Sequence, residues 1–175
     1  MNGQKVHLRA VEPSDLPLLY EWENDVDNWE VSHTMEPYSK ALLEKFIETS
    51  AQGLYGNRQQ RLMVVENGTG ATVGAVDIFD FDPQNRRAGI GILVDKRHRQ
   101  NGYGHEAVEL TKKYLFETVG LHQIYCNIMI NNSFSLKLFQ KAGFEICGLK
   151  KEWLLTKDGW MDEYTLQIIN RKSIL

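Results

Sequence analysis

Apolar and polar residues alternate in several short stretches of the chain, and this period of two is typical of β-strands. Two neighbouring pairs of these stretches are separated by turn sequences that favour hairpins, NGTG at 67–70 and DG at 158–159. The alternation predicts strands at residues 5–11, 61–66, 71–81, 86–94, 122–130, 145–157 and 160–169.

Other stretches carry apolar residues three and four positions apart, the spacing that gives a helix one apolar side. They predict helices at residues 12–24, 39–52, 105–116 and 131–144. The order of elements indicates one α+β domain over residues 1–175, with a mixed, mostly antiparallel seven-stranded sheet flanked by about four helices. Because a strand–helix–strand crossover joins parallel strands, at least one parallel pair is expected.

The composition limits what the chain can do. Of its 175 residues, 42% are hydrophobic and 25% are charged, and the net charge of −3 gives no field that would attract nucleic acid. No apolar run is long enough to span a bilayer, and the first residues lack the apolar core of a secretory signal. Cys126 and Cys147 are expected to be reduced thiols. We therefore expect a cytoplasmic protein without a metal, a membrane contact or a nucleic-acid partner.

The segment KRHRQNGYG follows the fourth predicted strand and opens the next helix. It combines three cations, Lys96, Arg97 and Arg99, with two glycines, Gly102 and Gly104. A helix start carries unpaired N–H groups and a partial positive charge, and glycine lets a ligand approach the backbone closely. The segment therefore predicts a site for a phosphate or pyrophosphate. The structural alternative is a tight surface turn whose charges are solvated.

Two stretches carry a resemblance to a known family. RQNGYG at 99–104 matches the R/Q-x-x-G-x-G/A motif of the GCN5-related N-acetyltransferases, the GNAT family. NNSFSLKLFQKAGF at 131–144 resembles a second element of that family, N-x-x-S-x-x-L-Y-x-K-x-G-F. The closing hairpin is similar to that of the subgroup containing spermidine N-acetyltransferases and the N-terminal acetyltransferases of ribosomal proteins. The resemblance covers essentially the whole chain.

This resemblance implies that acetyl-CoA is a co-substrate and that the fourth and fifth strands splay apart. In the family, the splayed strand bonds the pantetheine arm, and the glycine-rich turn holds the pyrophosphate. A backbone N–H, expected here from Leu93 or Val94, polarises the thioester carbonyl, and Leu93 is given this catalytic role. The cofactor-binding residues implied in this way are Ile92, Leu93, Val94, Arg99, Gln100, Asn101, Gly102, Tyr103, Gly104, Asn132, Ser135 and Phe139.

The sequence departs from the family at two catalytic positions. Phe139 stands where many relatives have a tyrosine acid, and Gly89 stands where several have a glutamate base. Asp80 is the preferred substitute, as a base acting through water. Other candidates for proton transfer are Asp77, Asp82, Tyr103, Tyr125 and His105. The chain is interpreted as an N-acetyltransferase that moves acetyl to a primary amine; the alternative is an acyl-CoA-binding module or sensor that has lost catalysis.

Residues 20–38 hold six carboxylates and no lysine or arginine. In the family this part of the chain overlies the acceptor, and acidic and aromatic side chains there would suit a cationic amine. Glu21, Trp22 and Glu30 are therefore predicted to bind the substrate, a cationic small molecule such as a polyamine, and Asp77 of the third predicted strand is assigned the same role. A peptide or protein N-terminus fits the same pattern, and a solvated acidic face is the structural alternative. A homo-oligomer is left open.

Overall fold

The computed structural model describes residues 1–32 and 34–171, apart from the side chains of residues 30–32. The strands of these residues are β1 (Val6–Ala10), β2 (Gln60–Glu66), β3 (Thr72–Asp82), β4 (Arg87–Val94), β5 (Gln123–Met129), β6 (Glu145–Thr156) and β7 (Gly159–Ile169). They form one sheet in the order β1-β2-β3-β4-β5-β7-β6. Neighbouring strands are antiparallel except for β4 and β5. The predicted mixed seven-stranded sheet is confirmed.

The described α-helices include two that the sequence did not predict. The helices are α1 (Leu16–Glu23), α2 (Val26–Ser32), α3 (Lys40–Ser50), α4 (Gly53–Asn57), α5 (Tyr103–Lys113) and α6 (Ser133–Lys141). The unpredicted ones are α2, of seven residues, and α4, of five residues with two glycines. Both are too short for an apolar stripe to repeat, so the period of a helix could not be seen in them.

Helices pack on both faces of the sheet. On one face, called here the α5 face, helices α5 and α6 join the larger apolar cluster, which includes Ile90 and Ile124 of the sheet. On the other, the α1 face, helices α1 and α3 bury a smaller cluster around Met63 and Ala75 of β2 and β3. Among the described residues, none from β5, β6 or β7 belongs to this smaller cluster. Helices α1 and α3 therefore do not extend over those strands.

The parallel strands β4 and β5 separate part-way along their length. They pair only from Arg87↔Gln123 to Gly89↔Tyr125. Beyond this point β4 stays paired with β3 as far as Val94, and β5 stays paired with β7 as far as Met129. A wedge-shaped opening therefore lies between the second half of β4 and the second half of β5, which is the splay that the resemblance implied.

None of the described helices has the length and apolar character needed to cross a membrane. Cys126 is buried and Cys147 is exposed, and both are free thiols. Burial raises the pKa of the Cys126 thiol, which keeps it protonated and unreactive.

Candidate active site

The open edge of β4 is the first element of the site. Successive residues of a strand direct their N–H and C=O groups to opposite sides. Asp95, just past the strand, donates its N–H to the carbonyl of Val73 in β3 (2.9 Å). By alternation Leu93 also faces β3, whereas Ile92 and Val94 face the opening. The strand therefore presents alternate backbone groups to any ligand that enters the splay.

This alternation corrects the catalytic role assigned to Leu93. Leu93 is paired with Ala75 of β3, and its N–H is directed to that strand and away from the opening. Arg99 donates its Nε–H to the Val94 carbonyl (3.1 Å), which is consistent with Val94 facing away from β3. The backbone donors available to a thioester in the opening are therefore those of Ile92 and Val94.

The turn between β4 and α5 adopts the conformations that glycine accepts most readily. Gly102 has φ +82°, and Gln100 reaches φ +67°. Gly102 is the N-cap residue of α5, and no side chain caps the helix there. Glu106 donates its N–H to the Gly102 carbonyl (3.2 Å) and so closes the first helical turn. The N–H groups before it have no partner within the helix and are directed outward.

Glu106 does not occupy this helix start with its own side chain. Its carboxylate instead accepts the backbone N–H groups of Gln4 (2.5 Å), Lys5 (2.9 Å) and Val6 (3.2 Å). These contacts tie the beginning of β1 to α5. The free amides and the positive end of the helix dipole remain available to an anion.

Two cations beside the turn are free to meet an anion. Arg99 and Lys5 form no ion pair with the residues that the structure describes. Lys5 donates to the carbonyl of Asn101 (2.9 Å), which places its ammonium group beside the turn. Lys5 could not be recognised from the sequence, because it lies far from the motif along the chain and is brought there by the contacts between β1 and α5.

Gly104 is buried where α5, α6 and β4 meet. A Cβ at this position would lie 3.0 Å from Cδ1 of Leu138 and 3.2 Å from Cγ2 of Val94. Glycine at this position therefore permits close packing of the helix start against the opening, in addition to any role in ligand approach. Tyr103, beside it, is half-buried and packs against the larger apolar cluster.

Helix α6 follows the open half of β5. Asn132 caps it by accepting the N–H of Ser135 with its side-chain oxygen (3.1 Å). Phe139 is 3% exposed and packs edge-on against Phe144, with ring centroids 5.1 Å apart. Because this ring lies in the core and has no hydroxyl, it cannot protonate a leaving thiolate.

On the α1 face, the ring of Phe79 occupies the space that a side chain at position 89 would need. Phe79 of β3 is paired with Gly89, and a Cβ on Gly89 would overlap the ring of Phe79. The same ring packs edge-on against Tyr125, with centroids 5.8 Å apart and planes at 87°. A glutamate at position 89 could therefore enter only if Phe79 moved away.

Asp80 lies beyond Phe79, at the irregular end of β3. It has φ +49° and accepts a hydrogen bond from the Tyr125 hydroxyl (2.9 Å). Burial, and then this carboxylate, raise the pKa of Tyr125 to about 12. Since Phe79 is level with Gly89 and Asp80 lies beyond it, Asp80 is set off from Ile92 by more than three residues of β4, over about 10 Å at strand spacing. A base must act directly or through one water, so this separation does not support the base role predicted for Asp80.

Residues 20–38, called here the acidic segment, lie beside residues 96–104, called here the cofactor turn after the role that the resemblance implies, and two cations of that turn pair with the segment. Glu21 pairs with Arg97 (3.1 Å), and Lys96 pairs with Asp25 (3.1 Å). Trp22 is 5% exposed, so its ring offers no open face to a cation. The side chain of Glu30, which was predicted to bind the substrate, lies outside the described residues.

Trp22 and Asp95 join the acidic segment to the end of β4. The indole Nε1–H of Trp22 donates to the Asp95 carboxylate (2.9 Å). Arg97 donates to the same carboxylate from its side chain (2.5 Å) and its backbone N–H (2.9 Å). These hydrogen bonds, the Arg97 side chain first, hold the pKa of Asp95 well below its usual range. Asp95 is therefore a structural junction between the two sides of the site.

Asp77, the other predicted substrate residue, is part of a half-buried ion cluster. Arg61 donates to Asp77 through Nε (2.6 Å) and Nη2 (2.8 Å), and it also pairs with Glu23 of α1. Burial works against the charge of this guanidinium, but the two carboxylates outweigh it and raise the pKa of Arg61. Asp77 is opposite Gly91 and still 40% exposed, yet its charge is already compensated.

A row of polar side chains crosses β5, β7 and β6 on the α1 face. Asn127 accepts hydrogen bonds from Thr165 (3.0 Å) and Lys150 (3.1 Å). Lys150 also pairs with Glu163 (2.8 Å), which is 2% exposed. This row could not be recognised from the sequence, because its members come from three strands and each one resembles an ordinary polar position in an alternating pattern. These contacts hold the polar side chains in place on the part of the α1 face that helices α1 and α3 leave uncovered.

Within the described residues, no three His, Cys, Asp or Glu side chains are grouped so that they could hold a metal ion.

Residues 5–145 match the family model described as an acetyltransferase (GNAT) domain. The chain belongs to the GNAT family. Together with the N-acetyltransferase names of its relatives, this membership makes it an acyl-CoA-dependent N-acetyltransferase. The edge of β4, the helix start at Gly102 and the cap of α6 are thus parts of a shared enzyme scaffold.

The chain is similar in sequence to the probable N-acetyltransferase YjcK of Bacillus subtilis, with 25% identity over 97% of each chain. It is 26% identical to spermidine N(1)-acetyltransferase of Escherichia coli, over 84% of this chain and 76% of that protein. Its fold matches the crystal structure of spermidine N-acetyltransferase from Vibrio cholerae in complex with CoA and spermine. That match has a TM-score of 0.86, with 21% identity over 94% of this chain and 95% of that one.

Proposed function

We propose that the chain transfers the acetyl group of acetyl-CoA to a primary amine on a cationic small molecule, with linear polyamines as the favoured class. The observation that carries this proposal is the open edge of β4 leading directly into the uncapped start of α5. Similar proteins include spermidine N-acetyltransferases, one of them crystallised with CoA and spermine, which supports the choice of donor and acceptor.

The proposed binding of acetyl-CoA rests on the backbone of this region. The pyrophosphate lies on the amides of the turn and the α5 start, where the charges of Arg99 and Lys5 assist it. The pantetheine arm runs along the open edge of β4 and bonds with its backbone as an added strand would. The acetyl carbonyl then accepts an N–H from Ile92 or Val94, which stabilises the negative charge of the transition state.

The chemistry needs little side-chain assistance in this arrangement. A neutral amine attacks the thioester carbon, the N–C bond forms, and the C–S bond breaks. The amine proton passes to water, and the departing thiolate takes a proton from water, because Phe139 has none to give. Holding the two reactants in line supplies a large share of the rate enhancement, so the loss of the family's tyrosine and glutamate is compatible with turnover.

An acceptor panel tests this proposal. CoA thiol release from acetyl-CoA is measured with monoamines, diamines, polyamines and a peptide with a free N-terminus, each at matched pH and ionic strength. We expect thiol release that depends on added amine and is fastest with linear polyamines. Preference for the peptide would favour an N-terminal acetyltransferase. Acetyl-CoA binding with no amine-dependent release would contradict the proposal and leave a cofactor-binding module.

We also propose that the chain self-associates through the β6–β7 hairpin. This hairpin exposes several large apolar side chains, Ile146, Leu149, Trp153, Leu155 and Trp160. A similar structure, of spermidine N-acetyltransferase from Vibrio cholerae, is a dodecamer. Light scattering should show a mass above the 20.2 kDa of one chain, and Leu155→Lys should lower it; a monomer at all concentrations would contradict this.

A further inference from the structure

A cavity of about 570 Å³ opens beside the paired ends of β4 and β5. It lies where β3 ends and β4 begins, next to β5 and β7. We call it the distal cavity, because it is at the end of β4 opposite to the cofactor turn. The polar residues that line it are Asp80, Asp82, Arg87, Gln123, Thr165 and Gln167, and Tyr125 adds its ring and hydroxyl.

The charges of the distal cavity do not cancel. Arg87 lies 3.3 Å from the Asp82 carboxylate, so these two balance each other. Asp82 is also held by the side chain (2.7 Å) and backbone (3.0 Å) of Asn85. Asp80 accepts the Tyr125 hydroxyl but has no cationic partner among residues 1–32 and 34–171. The distal cavity therefore carries one uncompensated negative charge.

The amide groups of the distal cavity are also open to a ligand. The side chains of Gln123 and Gln167 make no hydrogen bond with the described part of the chain. Their carbonyl oxygens, together with the second carboxylate oxygen of Asp80, can accept several N–H donors at once. A primary ammonium group offers three such donors and a positive charge. The lining is therefore complementary to an alkylammonium ion.

The distal cavity is connected to the reacting position by an apolar surface. The rings of Phe79 and Tyr125 lie beside Gly89, between Asp80 and the open half of β4. Ile92 is three residues further along the strand, about 10 Å away. A methylene chain laid across these rings would join an amine at the opening to an ammonium group in the distal cavity.

We infer that the distal cavity binds the second ammonium group of the acceptor and thereby selects linear diamines and polyamines whose amino groups are roughly 10 Å apart. This inference rests on the proposed acetyltransferase function and identifies which part of the site reads the length of the acceptor. It assigns Asp80 to substrate binding rather than to proton transfer.

Two acceptors that differ only in the second amino group provide the test. The KM of octylamine is compared with the KM of the eight-carbon α,ω-diamine at saturating acetyl-CoA, in the wild type and in Asp80→Asn. Asparagine tolerates the left-handed conformation of this position, so the variant is expected to fold. Asp158→Asn, an exposed carboxylate at the tip of the β6–β7 turn, is the matched control. A four-carbon diamine, too short to reach, is included.

In the wild type, the diamine should have a KM lower than octylamine by about three- to fivefold, the effect of one charged contact at an exposed carboxylate. Asp80→Asn should remove most of this difference and leave the KM of octylamine within about twofold of the wild-type value. The control Asp158→Asn should leave the KM of both acceptors within about twofold of the wild-type values. The second amino group of the four-carbon diamine should not lower the KM of that acceptor. Equal KM values for the two eight-carbon acceptors would overturn the inference. An equal loss of kcat for both acceptors in Asp80→Asn, with the acid limb of the pH–rate profile gone, would restore Asp80 as a base.

Calorimetry separates this inference from the proposed function. The eight-carbon diamine is titrated into the wild type and Asp80→Asn, each loaded with CoA. If no amine is acetylated but the diamine binds only to the wild type, the function fails and the distal cavity remains an ammonium site. If acetylation proceeds and Asp80→Asn binds the diamine unchanged, the distal cavity inference fails alone. If neither turnover nor binding is seen, both fail.

Discussion

The cofactor side and the acceptor side of the β4 edge handle charge in opposite ways. At the cofactor turn, the binding groups are backbone amides, and the nearby cations Arg99 and Lys5 have no ion pair among the described residues. On the acceptor side, most of the charged groups already have partners: Glu21 with Arg97, and Glu23 and Asp77 with Arg61. Asp80 is an exception there, since its described partner is the hydroxyl of Tyr125.

This difference bears on the proposed binding of cofactor and acceptor. Backbone amides are present whatever the side chains are, so the cofactor turn requires only the right conformations, chiefly at Gly102. Paired side chains contribute little net attraction, since each is already neutralised. We therefore expect selectivity for the acceptor to depend on the few groups that remain unpaired, such as the Asp80 carboxylate and the two glutamines of the distal cavity.

The largest effect is expected from a substitution that changes the backbone conformation of the cofactor turn. Gly102→Val forces a side chain onto φ +82°, with its Cβ 3.2 Å from the Lys5 ammonium group. We expect Kd for acetyl-CoA, measured by calorimetry, to rise by more than about tenfold, because the turn must change shape before it can hold the pyrophosphate.

A second glycine provides the control for backbone strain alone. Gly70 has φ +74° in the β2–β3 turn, and a Cβ there meets nothing within 4 Å. Gly70→Val should cost stability much as Gly102→Val does, yet leave acetyl-CoA affinity unchanged. Equal affinity in both variants and the wild type would show that the turn does not bind the cofactor. Gly104 is a poorer target, because its substitution also disturbs packing against Leu138.

A smaller effect, on stability, is expected at the junction between the two sides. Asp95→Asn weakens the acceptor of Trp22 and Arg97, and the loss of these charge-assisted bonds should cost roughly 2 to 3 kcal/mol. For a chain of this size, that lowers Tm by about 5 to 10 °C in differential scanning calorimetry. Asp158→Asn, exposed on a turn, should leave Tm unchanged.

The same variant should change the pH dependence of stability. The pKa of Asp95 is held below its ordinary value in the folded state, so the ionised carboxylate stabilises the fold above about pH 4, the unfolded pKa. That stabilisation is lost as pH falls below 4 toward the folded pKa. Asparagine does not titrate, so Tm of Asp95→Asn should fall less steeply than wild type between pH 5 and pH 3. Parallel curves for the two proteins would contradict the role given to Asp95.

The parts of this molecule that could be predicted from sequence are those with local signals. The strands showed alternation, and the turn at 99–104 showed glycines and cations within a few residues. Helices α2 and α4 gave no repeating stripe, and the left-handed Asp80 gave no signal because aspartate rarely adopts that conformation. Lys5 against Asn101, Trp22 against Asp95 and Phe79 over Gly89 are contacts between separate elements. Only the fold brings them together.

The net charge of the acidic segment likewise could not be predicted from the sequence, because it depends on contacts between separate elements. Six carboxylates without a lysine or arginine predicted attraction for a cationic acceptor. In the fold, however, Lys96 and Arg97 arrive from the cofactor turn and pair with Asp25 and Glu21. Composition counts charges within a window of sequence, whereas attraction depends on which charges remain unpaired in space.

The smallest effect is therefore expected from Glu21→Gln. Glu21 and Arg97 are each 54% exposed, and such surface pairs contribute at most about 1 kcal/mol. We expect KM for the eight-carbon diamine to change by less than about twofold. Because Arg97 would lose one of its two carboxylates, acetyl-CoA should bind slightly more tightly at low salt. Salt should erase that gain, since charges are screened over about 10 Å at 0.1 M. A several-fold rise in KM that is confined to diamines would instead mean that the acidic segment binds the acceptor. The contrast between paired and unpaired charge would then have to be redrawn to place Glu21 with Asp80.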